Sequence, residues 1–464
     1  MAQPHELSAG QLSAAYASGE LSPLEAVQEV LAHIARWEPQ LCATYALDEA
    51  GALAAARASQ QRWHAGRPLS RLDGVPCTIK ENIATRGVPV PLGCAATVLQ
   101  PAAADAPPAA RLREAGCVLL AKTTMPDWGM LSSGLSSFHP LARNPWNPAL
   151  TPGGSSAGAG AAAAAGYGPL HLGTDIGGSI RLPAGWCGVV GLKPSNGRVP
   201  IHPPYYGRVA GPMTRSVRDA AWMMQVLSQP DARDAMSLPP QAIDWDDLAL
   251  PLRGLRLGLQ LDAGWGLAVE PEVIAAVQSA ARAFEQAGAV VEPLAPFSTR
   301  EMIEGLDRFW RMRSWLDYRL LPPERQQQVL PYIRHWITQA AQLSGAQVFH
   351  GFSQMGALRD AAVHATAPFD YVLSPVSPVA AYRADWASPV NDPERPFEHI
   401  AFTVPYNMSE QPALSIDAGH TADGRPIGLQ ISGRRHDDRG VLALALAWEQ
   451  MRPASRPWPR PSQA

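Results

Sequence analysis

The sequence lacks an excess of charge of either sign, and this absence argues against two classes of partner. Its 464 residues include 38 lysines and arginines and 41 aspartates and glutamates, which gives a net charge of −3. The basic residues are scattered rather than gathered into the clusters that bind a nucleic acid or an anionic membrane. We therefore expect no nucleic-acid partner and no membrane partner.

Cysteine is scarce, and its spacing has no metal-binding or disulfide pattern. The five cysteines are Cys42, Cys77, Cys94, Cys117 and Cys187. An odd number without a framework indicates reduced, buried thiols, as in a cytoplasmic protein. Cys77 stands close to Lys80, but the apolar alternation around it favours a core residue over a nucleophile. We expect no metal and no cofactor.

Long apolar runs are absent too. No segment approaches the roughly twenty residues of a membrane span, and the N-terminal residues lack the basic and apolar regions of a signal peptide. Phosphate-binding motifs with GK[ST] or with G-x-G-x-x-G after a strand are also missing, which argues against a nucleotide-binding module. We expect a cytoplasmic location, and with 46% hydrophobic residues the chain can build a large core.

Two glycine–serine turns, at 151–158 and 173–181, flank an alanine-rich run from Ala157 to Ala165. The run predicts a helix with Ser156 as its N-cap and Gly166 just after its end. The residues 170–175 predict a short buried strand. Glycines before a serine leave successive backbone N–H groups unscreened, and such groups can hold an oxyanion.

A serine nucleophile needs a base, and Lys80 ends an apolar, strand-like run that begins at Pro76. Together with the two turns, the blocks 188–194 and 424–430 make the sequence resemble the amidase signature family over nearly its whole length. The resemblance implies an α/β fold in which a large, mixed, twisted β-sheet is covered on both faces by many α-helices. It also implies a single domain over 1–464, with a signature core at about 66–200 and a helical, aromatic-rich insert at about 301–345.

The resemblance implies a Ser–cisSer–Lys triad. Ser179 would be the nucleophile, Ser155 would relay a proton after a cis peptide bond, and Lys80 would be the base. The backbone N–H groups of the turn would form the oxyanion hole; they belong to Ile176, Gly177, Gly178 and Ser179. For the same serines, a helix cap is the bland alternative.

Four further residues are expected to support the triad. Asp175 and Arg181 bracket the nucleophile and resemble the charged pair that braces this turn in the family. Asn82 and Ser156 are candidates for the hydrogen-bond network around Lys80.

The substrate side is less well defined. The stretch 128–133 is more apolar than in many family members, which favours bulky aryl substrates. Our candidate substrate-binding residues are Trp128, Gly129, Met130, Gly153 and Gly154. The aromatic residues of the insert can serve the core or the acyl pocket, and both interpretations stay open; they are Phe309, Trp310, Trp315, Tyr318, Tyr332 and Trp336.

The expected function is hydrolysis, with water, of the carbon–nitrogen bond of a small hydrophobic or aryl amide, extended to carbamates (urethanes) and esters. Within the family, the alternative is the glutamine-hydrolysing A subunit of a tRNA-dependent amidotransferase. Residues 154–158 also satisfy G-x-S-x-G, which would make Ser156 the nucleophile of an α/β-hydrolase esterase with a later histidine. Monomer and homodimer both stay open.

Overall fold

The computed structural model describes residues 3–453 and 456–461. In this part of the chain one mixed sheet has eleven strands, in the order β1-β3-β2-β4-β6-β5-β10-β11-β9-β7-β8. The strands are β1 Thr44–Tyr45, β2 Pro76–Lys80, β3 Val118–Thr123, β4 Leu170–Asp175, β5 Val190–Lys193, β6 Val209–Thr214, β7 Arg256–Leu259, β8 Val290–Pro293, β9 Tyr371–Pro375, β10 Ala413–His420 and β11 Pro426–Gly433.

The described residues also form fourteen α-helices, which pack around this sheet. They are α1 Ala9–Ser18, α2 Pro23–Leu41, α3 Glu49–His64, α4 Pro107–Glu114, α5 Ala157–Ala165, α6 Arg181–Cys187, α7 Val217–Leu227, α8 Pro271–Gln286, α9 Arg300–Tyr318, α10 Pro323–Gln326, α11 Pro331–Thr338, α12 Gly345–Thr366, α13 Val404–Met408 and α14 Asp438–Met451. The expected α/β architecture is confirmed.

The direction of the central strands positions the site. Strand β2 is parallel to both of its neighbours, β3 and β4, and Ile79 lies opposite Leu172 in the register. Parallel strands end at the same edge of a sheet, and that edge is where ligands bind in many α/β folds. Strands β6, β5, β10, β11 and β9 continue the sheet in antiparallel pairs.

Local sequence signals predict several elements well. The helix over 157–165 and the strand over 170–175 form as expected, and Ser22 caps α2 by accepting a hydrogen bond from the Glu25 N–H at 3.1 Å. Helix α5 is wholly buried, and it lies so close to its neighbours that a methyl group added at Gly158 would be 2.1 Å from the Ala43 carbonyl oxygen. Its short side chains let it run through the interior of the fold.

The segment predicted as a helical insert, 301–345, contains several separate helices. Helices α9, α10 and α11 occupy it with breaks before Pro323 and Pro331, where the proline ring cannot continue a helix. The 22-residue helix α12 follows, and it was not predicted, although Ser344 and Gln347 form a capping box at its start. No helix of the described segments is both long and apolar enough to cross a bilayer.

Candidate active site

Lys80 and Asp175 are the last residues of β2 and β4, and the turn before α5 lies beside them. Lys80 is fully buried, and its Nζ is 2.8 Å from Ser155 Oγ and 3.0 Å from Ser156 Oγ. The Gly154–Ser155 peptide bond is cis. The structure thus joins the expected base to the expected relay serine across 75 residues of chain.

The environment of Lys80 favours its uncharged form. Burial lowers the pKa of Lys80 to about 7, although the carboxylates of Asp175 and Glu81 act in the opposite direction; Arg208 contributes to the decrease. An ordinary, solvated lysine has a pKa near 10.4, so the Lys80 amine can accept a proton at a pH at which such a lysine is charged.

Ser156 stands at the N-cap position of α5, but its hydroxyl does not cap the helix. Instead, Ser156 Oγ donates to the Thr174 carbonyl at 3.1 Å and accepts from the Thr174 N–H at 3.3 Å, in addition to its contact with Lys80. In the described residues no histidine is hydrogen-bonded to Ser156, and His399 bonds to Ser132 instead. The geometry does not support Ser156 as the nucleophile of an α/β-hydrolase.

Asp175 and Arg181 form a buried ion pair, as expected. The Arg181 guanidinium donates to the Asp175 carboxylate through Nε at 3.0 Å and Nη2 at 2.9 Å, and neither side chain is exposed. Burial alone would raise the pKa of Asp175, but Arg181 and the Asn407 amide hold that pKa well below its usual range. The sequence analysis assigned no role to Asn407, nor to Gln430 at the end of the 424–430 block; their side chains accept hydrogen bonds from Arg181 at 2.6 and 2.8 Å.

Asp175 also shapes the turn that carries the expected oxyanion hole. Its carboxylate accepts hydrogen bonds from the Gly178 N–H at 2.8 Å and the Ile180 N–H at 3.0 Å. The Gly178 amide is therefore occupied, contrary to the expectation of four free donors. The N–H groups of Ile176, Gly177 and Ser179 have no partner among the described residues, so three amides remain available.

Gly178 is needed at its position for steric reasons. Its φ angle of 127° lies in the region that side chains rarely adopt, and an added methyl group would be 2.7 Å from Thr403 Oγ1. Thr403 Oγ1 also donates to the Gly177 carbonyl at 2.6 Å. Thr403, which is distant in sequence, therefore helps to hold this turn in place.

Ser179 is half-buried and lies at the surface of the cavity described below. Its backbone carbonyl accepts a hydrogen bond from the Ser156 N–H at 3.1 Å, which ties the two glycine–serine turns together. In the described residues no hydrogen bond joins the hydroxyl of Ser179 to that of Ser155. A direct proton transfer between them therefore requires a rearrangement that brings the two hydroxyl groups into hydrogen-bonding contact.

A cavity opens above Ser179, and its wall combines glycines, apolar side chains and a few polar groups. Gly129 and Met130 line it, as expected for the apolar stretch 128–133. The full lining consists of Gly129, Met130, Leu131, Ser132, Ile176, Gly177, Ser179, Leu182, Trp310, Arg313, Phe397 and Ile400.

Four of the candidate residues lie elsewhere. Trp128 is in a 3₁₀ turn and is partly buried; it packs against the hydrophobic cluster beside the cavity but does not line the cavity wall. Gly153 and Gly154 face protein backbone, since added methyl groups would be 2.6 Å from Pro183 Cα and from the Ser133 N, respectively. The Asn82 amide donates to Thr174 Oγ1 at 3.1 Å, and among the described residues it has no hydrogen bond to Lys80.

The aromatic insert serves both purposes that the sequence left open. Trp310 lines the cavity and packs edge-on against Phe397, while Trp336 is buried in the core behind it. Leu182, Phe397 and Ile400 were missed because they come from α6 and from a loop with no catalytic motif.

One group of possible metal ligands occurs in the described residues, and it consists of His5, Glu29 and His33. The two imidazole rings are stacked in parallel, with 3.6 Å between their centroids. A cation between them would lie outside both ring planes, whereas imidazole coordinates through its in-plane lone pair. His33 Nε2 is also hydrogen-bonded to the Ala165 carbonyl at 2.7 Å, so the cluster is a hydrogen-bonded contact.

Comparisons with known proteins show the family of this chain. The family model Amidase matches residues 25–442. The A subunit of glutamyl-tRNA(Gln) amidotransferase from Myxococcus xanthus is 37% identical over 473 aligned positions, which cover 95% of this chain and 96% of that protein. An acylamidase from Rhodococcus erythropolis is 33% identical over 460 positions, which cover 97% and 96%. The crystal structure of a bacterial aryl acylamidase of the amidase signature family has a TM-score of 0.87 at 30% identity, and the match covers 96% of each chain. The chain therefore belongs to the amidase signature family and is an amidohydrolase.

Proposed function

We propose that this amidohydrolase cleaves small hydrophobic or aryl amides through a seryl acyl-enzyme, with Lys80, Ser155 and Ser179 as its catalytic residues. The observation that carries the proposal is the contact at 2.8 Å between Ser155 and a buried lysine whose pKa is lowered to about 7. At pH 7 about half of such amines are uncharged, against roughly one in 10³ for an ordinary lysine.

The hydrogen bonds around Ser156 orient the lysine. The single hydroxyl hydrogen of Ser156 points to the Thr174 carbonyl, so Lys80 must donate to Ser156 Oγ. A neutral amine that donates to Ser156 has its lone pair free for the hydroxyl hydrogen of Ser155. Ser156 thus supports a direction of proton transfer from Ser155 to Lys80.

The proposed reaction begins when Lys80 takes the Ser155 proton while Ser155 takes the proton of Ser179. The Ser179 oxygen then forms a bond to the substrate carbonyl carbon, and the carbonyl oxygen gains negative charge beside the free amides of Ile176, Gly177 and Ser179. The carbon–nitrogen bond breaks as the relay returns a proton to the departing amine. Water, activated by the same relay, releases the acyl group from Ser179.

The substrate class is inferred from the cavity wall. Met130, Leu131, Leu182, Trp310 and Phe397 present apolar surface to a bound molecule, as suits an aryl or alkyl group. The similarity to an acylamidase and to an aryl acylamidase supports the same class. Carbamates and esters offer the same carbonyl to the nucleophile, so we include them as substrates.

A second candidate is glutamine hydrolysis in an amidotransferase, which the 37% identity to an A subunit favours. A panel of glutamine, an aliphatic amide, an aryl anilide, an aryl carbamate and an ester separates the two. We expect kcat/KM to be highest for the aryl anilide or carbamate. A chain that hydrolyses only glutamine would contradict the main proposal.

The Ser179→Ala variant tests the acyl-enzyme. We expect the wild type to give a burst of the amine or phenol product and a mass increase on the peptide that contains Ser179. Ser179→Ala should give neither and should keep the wild-type Tm. Ser18→Ala, at an exposed site on α1, is the control. A full burst from Ser179→Ala would exclude this serine as the nucleophile.

A further inference from the structure

Arg313, on α9, is the one charged side chain in the wall of the cavity beside Ser179, within the described part of the chain. The other wall residues are glycines, serines and apolar side chains. A guanidinium in such a wall is only partly hydrated, because apolar side chains replace part of its water shell. A partner of opposite charge would therefore stabilise the guanidinium in this position.

No such partner belongs to the described protein itself. No described carboxylate oxygen lies within 4.0 Å of the Arg313 guanidinium, which is 3.5 Å from the Met130 sulfur and 4.9 Å from the centre of the Tyr205 ring. Arg311, two residues earlier on the same helix, is paired with Asp307 at 2.8 Å. Helix α9 therefore provides a carboxylate for Arg311, whereas Arg313, in the cavity wall, has none among the described residues.

The surroundings of Arg313 add an unpaired hydroxyl group and a second positive charge. The Tyr205 hydroxyl is buried and has no hydrogen-bond partner among the described residues. Burial and the Arg313 guanidinium lower the pKa of Arg208, so a second arginine lies within electrostatic range, while Asp234 acts on Arg208 in the opposite direction. Arg313 therefore has another guanidinium nearby but no carboxylate of its own among the described residues.

We propose that Arg313 is a specificity-determining residue that binds a carboxylate on the substrate. The preferred substrates are then hydrophobic amides that also carry an anionic group, held by paired N–H donors of the guanidinium. The inference rests on the proposed function, since it names the substrate class of the same cavity. It adds a charged recognition element to a site whose wall is otherwise apolar.

Matched pairs of substrates test the charge with little change of shape. 4-Acetamidobenzoate and 4-nitroacetanilide differ in a carboxylate against a neutral nitro group on the amine side. N-phenylsuccinamic acid and 4-methylpentananilide differ in a carboxylate against a neutral isopropyl group on the acyl side. We expect Arg313→Met to lower kcat/KM for the anionic member of at least one pair by about ten- to a hundredfold, because the loss of a hydrogen bond to a charged group typically weakens binding by this factor. The neutral members should change by less than about threefold.

Two variants control for packing and for overall charge. Arg313→Lys keeps the charge but not the paired donors and should recover part of the loss. Arg319→Met removes an exposed charge just beyond the end of α9 and should leave the anion preference unchanged. Equal losses on anionic and neutral substrates in Arg313→Met would overturn the proposal, as would an equal loss of preference in Arg319→Met.

A binding measurement separates this inference from the proposed mechanism. Calorimetric titration of both substrate pairs into Ser179→Ala needs no turnover. When Arg313→Met is added, we expect the Kd of the anionic member, divided by the Kd of the neutral member, to rise at least tenfold in at least one pair. Unchanged ratios in both pairs would overturn the role of Arg313 even if hydrolysis proceeds through Ser179. A changed ratio in a protein that forms no acyl-enzyme would support Arg313 and contradict the proposed mechanism.

Discussion

The Lys80→Met substitution removes the amine from the site and leaves a side chain of similar length in its place. Lys80 is fully buried and contacts the hydroxyl groups of Ser155 and Ser156 through Nζ. Methionine fills the same space but can neither accept a proton nor donate to Ser156. The substitution therefore removes the proposed base and disturbs the packing little.

The expected loss of kcat/KM depends on the fraction of Lys80 that is uncharged. With the pKa of Lys80 lowered to about 7, the uncharged fraction, and with it kcat/KM, should fall about tenfold per pH unit below pH 6. Removal of a general base typically lowers the rate by about 10²–10⁴-fold. We expect Lys80→Met to lose this factor at pH 8 and to lose the acidic limb of the profile near pH 7.

The assay is kcat/KM for an aryl anilide between pH 5 and pH 9, since this parameter reports the ionisation of the free enzyme. Lys122→Met is the matched control. Burial lowers the pKa of Lys122 to about 7 as well, but its Nζ donates to Thr85 Oγ1 at 2.6 Å and to the Ile83 carbonyl. We expect Lys122→Met to be less stable, because it leaves buried acceptors unpaired, and to keep the acidic limb. An acidic limb near pH 7 that survives in Lys80→Met would refute Lys80 as the base.

Three other substitutions test the surroundings of the site. Asp175→Asn leaves the buried Arg181 guanidinium without its carboxylate, and we expect the free energy of unfolding in urea to fall by about 3–5 kcal/mol; a loss below about 1 kcal/mol would contradict this. Gly178→Ala places a methyl group 2.7 Å from Thr403 Oγ1, and displacement of the turn should lower kcat by about 10²-fold, which steady-state kinetics would measure. Burial lowers the pKa of Lys193 to about 7, below the value near 10.4 of an unfolded chain, so that above pH 7 the unfolded state binds the extra proton and stability rises with pH. Between pH 8 and pH 9.5 Lys193→Met should lose about 1 kcal/mol per pH unit of this rise, measured by urea unfolding at several pH values; an unchanged slope would show that the lysine is charged in the folded protein.

The sequence predicts those features of the site that follow from local backbone structure, namely its turns and strands. Glycine spacing around Ser155 and Ser179 indicates turns, and the apolar run before Lys80 indicates a buried strand. Parallel pairing of β2 with β4 then brings the ends of both strands to one edge. The contact between Lys80 and Ser155 itself was expected from the resemblance to the amidase signature family, which these motifs carry.

The cavity wall was not predictable in the same way. Trp310 and Arg313 come from α9, while Phe397 and Ile400 come from a loop without secondary structure. A helical pattern shows which residues share a face, but it does not show which neighbour that face meets. The pairing of Gly178 with Asp175 was also missed, because it depends on the direction of a single N–H group in the folded turn.

The low pKa of Lys80 depends on how the nearby carboxylates are satisfied. Asp175 and Glu81 both favour the charged form of Lys80, and a direct ion pair with either would keep the amine protonated. Instead, Asp175 is paired with Arg181 at 2.9 Å, and Glu81 is hydrogen-bonded to His139 at 2.8 Å. Each carboxylate thus has its own partner, and Lys80 is left with hydroxyl groups alone. Because hydroxyl groups do not stabilise an ammonium ion as a carboxylate does, the arrangement that braces the turn before Ser179 also allows burial to lower the pKa of the proposed base.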